Sequence, residues 1–282
     1  MESRRISPEL LELRIPYRSN DEVSDFLLIS DVHLDNPLCD RKLLARHLNE
    51  ARERNAKVLI FGDLLCLMQG KKDRRGSKSS IRPEHLGGNY FDLVFNECAE
   101  WLRPWNDLIV MISDGNHETA IINHNEIDPL GHLSRLMRDQ GSPVEHLRYQ
   151  GWVWFTFRTD TTGKTRRLQL FFHHGAWGGI ITKGVMGGGR YASIAPQAQV
   201  MVNGHNHQRT IVSHACYSIN AAGHQTIENR WHLQTGTYKQ EFSGGAGFAV
   251  EKIVMPAALG GIWMSLRPRR SSGVAVQLTN AE

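Results

Sequence analysis

The chain has 282 residues, 40% of them hydrophobic and 22% charged, so it can bury a sizeable core of the kind that ordinary globular proteins have. Its 33 basic and 29 acidic residues leave a net charge of +4, which neither requires nor excludes a nucleic-acid partner. The sequence has no run of the roughly 18 apolar residues that span a membrane, no apolar signal segment at its N-terminus, and no paired spacing among its four cysteines. We therefore expect a cytoplasmic protein with reduced thiols and no membrane contact.

The first half of the chain alternates apolar strands with amphipathic helices, which is typical of an α/β fold. Residues 1–24 are polar and predict an arm or an edge strand, and strands are predicted at 26–29, 57–61 and 108–112. The helical periodicity predicts helices at 41–54, 90–102 and 128–140. His47 lies on the first helix, and we interpret it as a helix-surface residue. Residues 69–89 interrupt the pattern with a basic insert.

The second half of the chain is rich in predicted strands, which follow one another with few helical patterns between them. They are expected at 151–158, 167–172, 198–202, 209–212, 231–235, 248–254, 262–266 and 274–278. A glycine-rich loop at 178–189 precedes the third of them. Because no linker or repeat divides the chain, we predict a single domain over residues 1–282, with its motifs in 25–210 and a β-rich C-terminal part in 211–282.

Five predicted strands end in side chains that can bind a metal ion. In chain order, the endings carry Asp31 and His33, Asp63, Asn116 and His117, His174, and finally His205 and His207. One such ending would be ordinary turn chemistry, but turns do not explain five of them in one chain. Since ligands bind beyond the carboxyl ends of strands in open α/β sheets, the endings predict one shared polar site.

The mixture of residues at these strand ends indicates two divalent ions. Carboxylate, imidazole and amide oxygen without thiolate suit manganese, iron, zinc or nickel, and argue against a structural zinc site built from cysteines. Seven candidate ligands are too many for one ion: Asp31, His33, Asp63, Asn116, His174, His205 and His207. They suit two ions that share a bridging carboxylate at a spacing of ~3.5–4 Å, as used for displacement at phosphorus. Manganese is our first expectation, and magnesium is also compatible.

Five ordered motifs resemble those of the calcineurin-like metallophosphoesterases. They are Asp31-x-His33, Gly62-Asp63, Gly115-Asn116-His117-Glu118, His174-Gly175 and Gly204-His205-Asn206-His207. The resemblance implies a four-layer αββα sandwich, in which two mixed sheets are flanked by helices. It also implies that Asp31, His33, Asp63 and His207 bind one ion, and that Asp63, Asn116, His174 and His205 bind the other.

The resemblance further implies catalytic roles. A hydroxide held between the ions would be the nucleophile, His117 would be the general acid, and Asp31 would orient His117. Glu118 is expected to cap the segment that follows it, with a direct catalytic role as the alternative. Of the doublet His173-His174, the family pattern selects His174 because it directly precedes the glycine, and His173 would face the core. The family often has a small residue where this chain has Asp114, a departure that we expect to alter only the turn.

The substrate must be inferred from features outside the shared motifs. The candidate substrate contacts are basic: Lys71, Lys72, Arg74 and Arg75 in the insert, and Arg190 after the glycine-rich loop. The insert either holds a polyanion such as nucleic acid or is a solvated loop. Our first hypothesis is a metal-dependent phosphodiesterase, with a nuclease-like enzyme as one form of it, and a phosphomonoesterase such as a protein phosphatase is the second. A non-catalytic scaffold is the third, although a scaffold would have no need of His117.

Overall fold

In a computed structural model of the chain, two β-sheets pack face to face and helices cover the outer side of one sheet. The structure describes residues 1–67, 80–159, 163–175, 193–219, 222–242, 256–270 and 273–282. The strands are β1 (Glu2–Ser7), β2 (Leu10–Tyr17), β3 (Ser24–Ile29), β4 (Lys57–Phe61), β5 (Ile109–Ser113), β6 (Glu145–Leu147), β7 (Gln150–Thr159), β8 (Thr165–His173), β9 (Val200–Asn203), β10 (Thr210–Ile219), β11 (Gln225–Gln234), β12 (Ile262–Pro268) and β13 (Val274–Asn280). The helices are α1 (Arg41–Glu53), α2 (Tyr90–Leu102), α3 (Asn116–Asn125) and α4 (Pro129–Asp139).

Both sheets are mixed, and each contains neighbouring parallel strands. The first sheet has the strand order β13-β12-β3-β4-β5-β6, and its strands β3 to β6 are parallel. The second sheet has the order β1-β2-β7-β8-β9-β11-β10, in which β8, β9 and β11 are parallel. The carboxyl ends of β3, β4 and β5 therefore lie side by side in one sheet, and those of β8, β9 and β11 in the other.

Two apolar cores explain why β3, β4 and β5 read as continuous hydrophobic runs. Phe26 and Leu28 face the second sheet and pack with residues such as Phe155, whereas Leu27 and Ile29 face the helices. All four helices contribute to the core between the first sheet and the helices. The outer face of the second sheet is covered around Ala195 and Ala198. A strand that is buried on both faces has no polar alternation. Two mixed sheets packed face to face with helices outside match the αββα sandwich that the motif resemblance implied, and α1 to α4 all lie on the outer side of the first sheet.

Most predicted elements are confirmed within a few residues. The strands at 26–29, 57–61 and 108–112 correspond to β3, β4 and β5, and the three predicted helices to α1, α2 and α4. The side chain of Asp128 caps α4 by accepting a hydrogen bond from the Gly131 N–H. The strand predicted at 248–254 and the glycine-rich loop at 178–189 lie outside the described residues.

Three interpretations need correction. The N-terminal segment forms two strands, and only β1 is at the edge, because β2 pairs with β7 inside the sheet. His47 is fully buried, and its Nδ1 lies 2.8 Å from the hydroxyl of Tyr238. Helix α3 and strand β6 were not predicted: α3 begins inside the Gly-Asn-His-Glu motif, and β6 has only three residues. No helix of the described residues is long and apolar enough to cross a membrane.

Candidate metal centre

The predicted ligands come together where the parallel strands of both sheets end. The segment after β3 continues along the segment after β4, because the Asp31 N–H donates to the Gly62 carbonyl and the His33 N–H to the Asp63 carbonyl. In the second sheet, the segments after β8 and β9 are joined by a hydrogen bond from the Gly204 N–H to the His174 carbonyl. The two strand-end segments then face each other across the interface between the sheets.

One cluster consists of Asp31, His33 and His207, whose ligand atoms all lie within 4.8 Å of one another. His207 Nε2 lies 3.4 Å from Asp31 Oδ1. The other carboxylate oxygen of Asp31 accepts hydrogen bonds from the Ser30 hydroxyl and from the His205 N–H. Asp31 and His33 are almost completely buried, so this cluster lies beneath the surface.

A second cluster consists of Asp63, His174 and His205, again with ligand atoms within 4.8 Å of one another. His174 Nε2 lies 3.3 Å from Asp63 Oδ2 and 3.2 Å from the amide oxygen of Asn116. That oxygen is also 2.7 Å from His205 Nδ1. His173 belongs to neither cluster: it accepts a hydrogen bond from the Gly175 N–H and packs against Tyr149. Of the doublet, His174 is therefore the histidine that faces the acidic residues.

The backbone at most of the predicted ligands is in a conformation that residues other than glycine rarely adopt. Eight non-glycine residues among those described have positive φ, and five of them are predicted ligands: Asp31, His33, Asp63, His205 and His207. Such conformations cost roughly 1–3 kcal/mol each and persist where the surrounding structure enforces them. Because five of these costly conformations occur at predicted ligands, they indicate a functional site and do not serve stability.

Two glycines of the motifs allow the sheets to approach each other here. A Cβ on Gly62 would overlap the ring of His174, which comes from the second sheet. A Cβ on Gly204 would likewise overlap Ser30 and Asp31, which come from the first sheet. Gly62 and Gly204 are thus explained by side chains that cross from the opposite sheet.

Three buried atoms of the first cluster make no hydrogen bond: both ring nitrogens of His33, and Oδ1 of Asp31, which forms a 3.4 Å ion pair with His207. Leaving a buried polar atom unsatisfied costs about 1–3 kcal/mol, so native proteins avoid it unless a ligand or water supplies the missing partner. Imidazole nitrogen and carboxylate oxygen are ligand atoms that divalent metal ions accept. The residues present therefore fit a metal centre.

The electrostatics of the metal-free centre reflect its density of charge. Burial opposes the ionisation of Asp63, yet the adjacent His174 imidazolium holds the pKa of that carboxyl well below its usual range. Burial likewise opposes protonation of His174 and His207, but the carboxylates beside them raise the pKa of His174 to about 10 and that of His207 to about 9. Burial lowers the pKa of His33 well below its usual value, and the neighbouring His117 adds to this effect.

His117 lies at the start of α3 beside the clusters, with its ring centroid 4.8 Å from that of His33. Its backbone N–H donates to Asp63 Oδ1 at 3.0 Å, and its Nδ1 lies 2.7 Å from the Cys66 carbonyl. Because a carbonyl only accepts, Nδ1 carries the proton, and Nε2 is left for other chemistry. This corrects the expectation that Asp31 orients His117: the oxygens of Asp31 face Ser30, His205 and His207, and the Cys66 carbonyl takes that place.

Glu118 is fully buried and accepts hydrogen bonds from three backbone N–H groups, those of Asp63, Leu65 and Gly115. The bond from the Gly115 N–H to the Glu118 carboxylate caps the N-terminus of α3, so the predicted capping role is confirmed. The other two bonds fix the segment after β4. Burial and the nearby Asp63 raise the pKa of Glu118 well above its usual value.

Asp114 does more than alter a turn. Its carboxylate is buried, with one oxygen 2.7 Å from His146 Nε2 and the other 3.3 Å from Arg148 Nη1. Asp128 is also joined to Arg148, at 2.9 Å. These residues form a separate polar cluster beside α4.

The sequence interpretation missed Glu241, whose Oε2 lies 3.4 Å from His207 Nδ1. Its other oxygen lies 2.6 Å from the ammonium group of Lys239. A carboxylate on the far nitrogen of a histidine is the usual way to orient a metal-binding imidazole. The signal that would have found it is the end of β11, because β11 is parallel to β9 and ends at the same edge.

The predicted substrate contacts Lys71, Lys72, Arg74, Arg75 and Arg190 lie outside the described residues. The described end of the basic insert, residues 80–89, is packed against the fold. Arg82 donates to the Asn36 carbonyl at 2.9 Å, and Ile81 and His85 are buried.

Among solved structures, the chain is similar to a metallophosphoesterase from Sphaerobacter thermophilus, with 14% identity, a TM-score of 0.38, and coverage of 92% of this chain and 88% of that one. It is also similar to Vps29 complexed with Zn²⁺ from Entamoeba histolytica (11% identity, TM-score 0.32, 92% and 99% coverage). A third is GAP50, the anchor in the inner membrane complex of Plasmodium (10% identity, TM-score 0.43, 92% and 85% coverage).

These solved structures have the calcineurin-like metallophosphoesterase fold, which is the family that the motifs resemble. At such low identities the likeness concerns the fold and says nothing of activity. No family model matches the chain. No curated protein matches it either.

Proposed function

We propose that this protein is a phosphoester hydrolase that depends on two divalent metal ions and acts on phosphodiesters. The observation that carries the proposal is the set of buried atoms without hydrogen bonds at His33 and Asp31, in a centre whose backbone conformation is otherwise unfavourable. A structural polar network would satisfy its members. A metal-binding set leaves ligand atoms for the ions.

We assign one ion to each geometric cluster and complete the ligand sets as the motif resemblance implies. One ion would be held by Asp31, His33, Asp63 and His207, and the other by Asp63, Asn116, His174 and His205. The bound ions, with manganese as the first candidate, would supply an activated water and neutralise the charge that develops on the phosphate. Asp63 belongs to the second cluster through the oxygen that faces His174, and we assign it as the ligand shared with the first ion, as the motif resemblance implies.

His117 is the residue of this chain best placed to transfer a proton to the leaving oxygen. Its Nδ1–H is fixed on the Cys66 carbonyl, so the ring cannot rotate without losing that bond. Nε2 can then hold a proton and donate it as the bond to phosphorus breaks. General-acid assistance of this kind contributes typically ~10²–10⁴-fold to the rate.

The test is a comparison of three substrates with the Mn²⁺-loaded protein: a chromogenic phosphodiester, a chromogenic phosphomonoester and single-stranded DNA. We expect turnover of the diester, and His117→Ala should lower kcat by ~10²–10⁴-fold while metal content stays at two ions per chain. The matched control is His124→Ala, which removes an exposed histidine from the same helix and should leave kcat unchanged.

Each other outcome selects a different function. A preference for the monoester would replace diesterase by phosphomonoesterase, and metal binding without turnover of any substrate would favour the scaffold. Full activity of His117→Ala would remove His117 from the mechanism. The nuclease-like assignment requires cleavage of DNA, and substitution of Lys71, Lys72, Arg74 and Arg75 by serine should then weaken DNA binding and reduce its dependence on salt.

A further inference from the structure

The strands β10 and β11 form a ribbon that extends beyond the rest of their sheet. They pair with each other over ten residues each, from Thr210 opposite Gln234 to Ile219 opposite Gln225. Strand β11 pairs with β9 only from Trp231 to Gln234, and β10 is the outermost of the described strands. Within the described part of the chain, residues 214–219 and 225–230, which we call the distal ribbon, therefore pair only with each other.

One face of the distal ribbon is apolar and exposed. Tyr217, Ile219 and Ile227 expose 78%, 74% and 67% of their surface, more than any other large hydrophobic residue among those described. Tyr217 lies opposite Ile227, and the same face continues along alternate residues to Leu233, which is fully buried in the core between the sheets. The distal ribbon thus carries the core-facing side of its sheet past the point where the first sheet covers it.

Strand β10, which is described over its whole length, carries none of the features of its own that usually protect an edge strand. Such strands are normally short, bulged, or interrupted by charged residues and proline. Residues 210–219 contain no aspartate, glutamate, lysine, arginine or proline, and their pairing with β11 has no register shift. An unprotected edge next to an exposed apolar face is suited to pairing with another β-strand.

We propose that the β10 edge and the apolar face of the distal ribbon bind a second copy of this chain, with the two β10 strands antiparallel across a two-fold axis. Paired residues in an antiparallel sheet point to the same face, so the apolar residues of both copies must align with each other. An axis through Ala215 does this, because it places Ile211 opposite Ile219 of the second copy and Tyr217 opposite Ser213.

The chemistry of β10 favours a copy of itself over a charged partner. A strand without formally charged residues meets no like-charge repulsion when it pairs with its own copy, and two-fold dimers are the commonest closed assembly. The surface is also remote from the metal centre. Strand β10 begins three residues after His207 and runs away from it for ten residues, or roughly 30 Å at ~3.3 Å per residue. The inference is thus independent of the proposed function.

The first test is sedimentation equilibrium of the full chain over a range of micromolar concentrations. We expect the wild-type protein to be a dimer and Tyr217→Lys/Ile219→Lys to be a monomer with an unchanged circular dichroism spectrum. The matched control is Val23→Lys/Leu86→Lys, which makes the same change in charge at residues exposed to 56% and 57%, away from the ribbon. This control should remain a dimer. A monomeric wild-type protein, or equal dissociation of both double variants, would overturn the proposal.

The second test fixes the register by cross-linking and does not depend on weakening the dimer. With the axis through Ala215, position 214 lies opposite Cys216 of the second copy, and the other three cysteines are buried. We expect His214→Cys to form a covalent dimer under mild oxidation and to lose it on reduction. Val212→Cys is the control, because position 212 lies opposite Ser218. Failure of His214→Cys to cross-link, or equal cross-linking of both variants, would contradict the pairing.

Discussion

Two clusters of aspartate and histidine lie at the same edge of this fold and differ in how their polar atoms are satisfied. In the cluster of Asp114, Asp128 and His146, both oxygens of Asp114 have partners, and Asp128 caps α4. In the cluster of Asp31, His33 and His207, buried atoms of the first two have no hydrogen bond. In both clusters the possible ligand atoms lie within 4.8 Å of one another. Hydrogen-bond satisfaction therefore separates the structural network around Asp114 from the cluster of Asp31, His33 and His207.

The largest effects are expected from one matched pair of substitutions. His33→Leu should lower metal affinity by more than ~100-fold, because it removes a proposed ligand. Residues that only hydrogen-bond to a ligand already change metal affinity by ~10–100-fold. Its stability without metal should change little, because an apolar group of similar size replaces nitrogens that have no partner.

His146→Leu should give the opposite result. It leaves the buried Asp114 carboxylate without its closest partner and should destabilise the protein by ~3 kcal/mol, with unchanged metal affinity. Isothermal titration with Mn²⁺ and urea denaturation of the metal-free proteins measure the two quantities. If both variants lose stability and metal affinity together, the distinction between the clusters fails.

A smaller effect is expected at Glu241, which orients a proposed ligand. Glu241→Gln keeps the shape of the side chain but weakens its bond to His207 Nδ1, and metal affinity should fall by ~10–100-fold. The control is Glu50→Gln, a glutamate on the surface of α1 whose ion pair with Arg54 is partly exposed. An unchanged metal affinity in Glu241→Gln would show that Glu241 pairs with Lys239 but does not orient His207.

Metal binding should also release protons, which sharpens the comparison further. The pKa of His174 is raised to about 10 and that of His207 to about 9, so both are protonated in the metal-free protein at neutral pH. A protonated imidazole cannot bind metal, so loading at pH 7 should release about two protons per chain, and affinity should rise with pH until it levels off above these pKa values. Titrations in buffers of different ionisation enthalpy count the protons. Buffer-independent heats would contradict the assignment of these two ligands.

The smallest effect is expected at the N-cap of α4. Asp128→Ala removes the hydrogen bond to the Gly131 N–H and should cost ~1 kcal/mol of stability without any change in metal affinity. Denaturation midpoints and Mn²⁺ titration of the same preparation test both parts. A loss of metal affinity here would place the cluster of Asp114, Asp128 and His146 within the metal centre.

Much of the centre could be predicted from the sequence because its ligands follow apolar strands, and parallel strands end together. Asp31, Asp63 and His174 were found in this way. The orienting groups could not be found so readily. The Cys66 carbonyl that holds His117 is a backbone atom with no sequence signature, and Glu241 follows a strand whose place beside β9 is a matter of tertiary pairing.

The same limit explains the errors in the fold. His47 lies on the apolar face of α1 with Leu44 and Leu48, and its polar side chain was interpreted as exposed because its partner, the hydroxyl of Tyr238, is 191 residues later in the chain. Helix α3 was missed because its first residues, Asn116 and His117, carry the site and its sequence has little apolar periodicity. Local patterns predict elements well when packing follows the pattern, and fail where a distant segment or a site dictates the conformation.

The hydrogen bond from the His205 N–H to Asp31 connects residues 174 positions apart and joins the two sheets. During synthesis Asp31, His33 and Asp63 leave the ribosome long before His205 and His207 exist. Contacts so distant in sequence form late in folding, because the closure of the intervening chain must come first. We therefore expect the centre to be completed only when both sheets have docked, so that a partly folded chain offers incoming metal ions only half of a binding site.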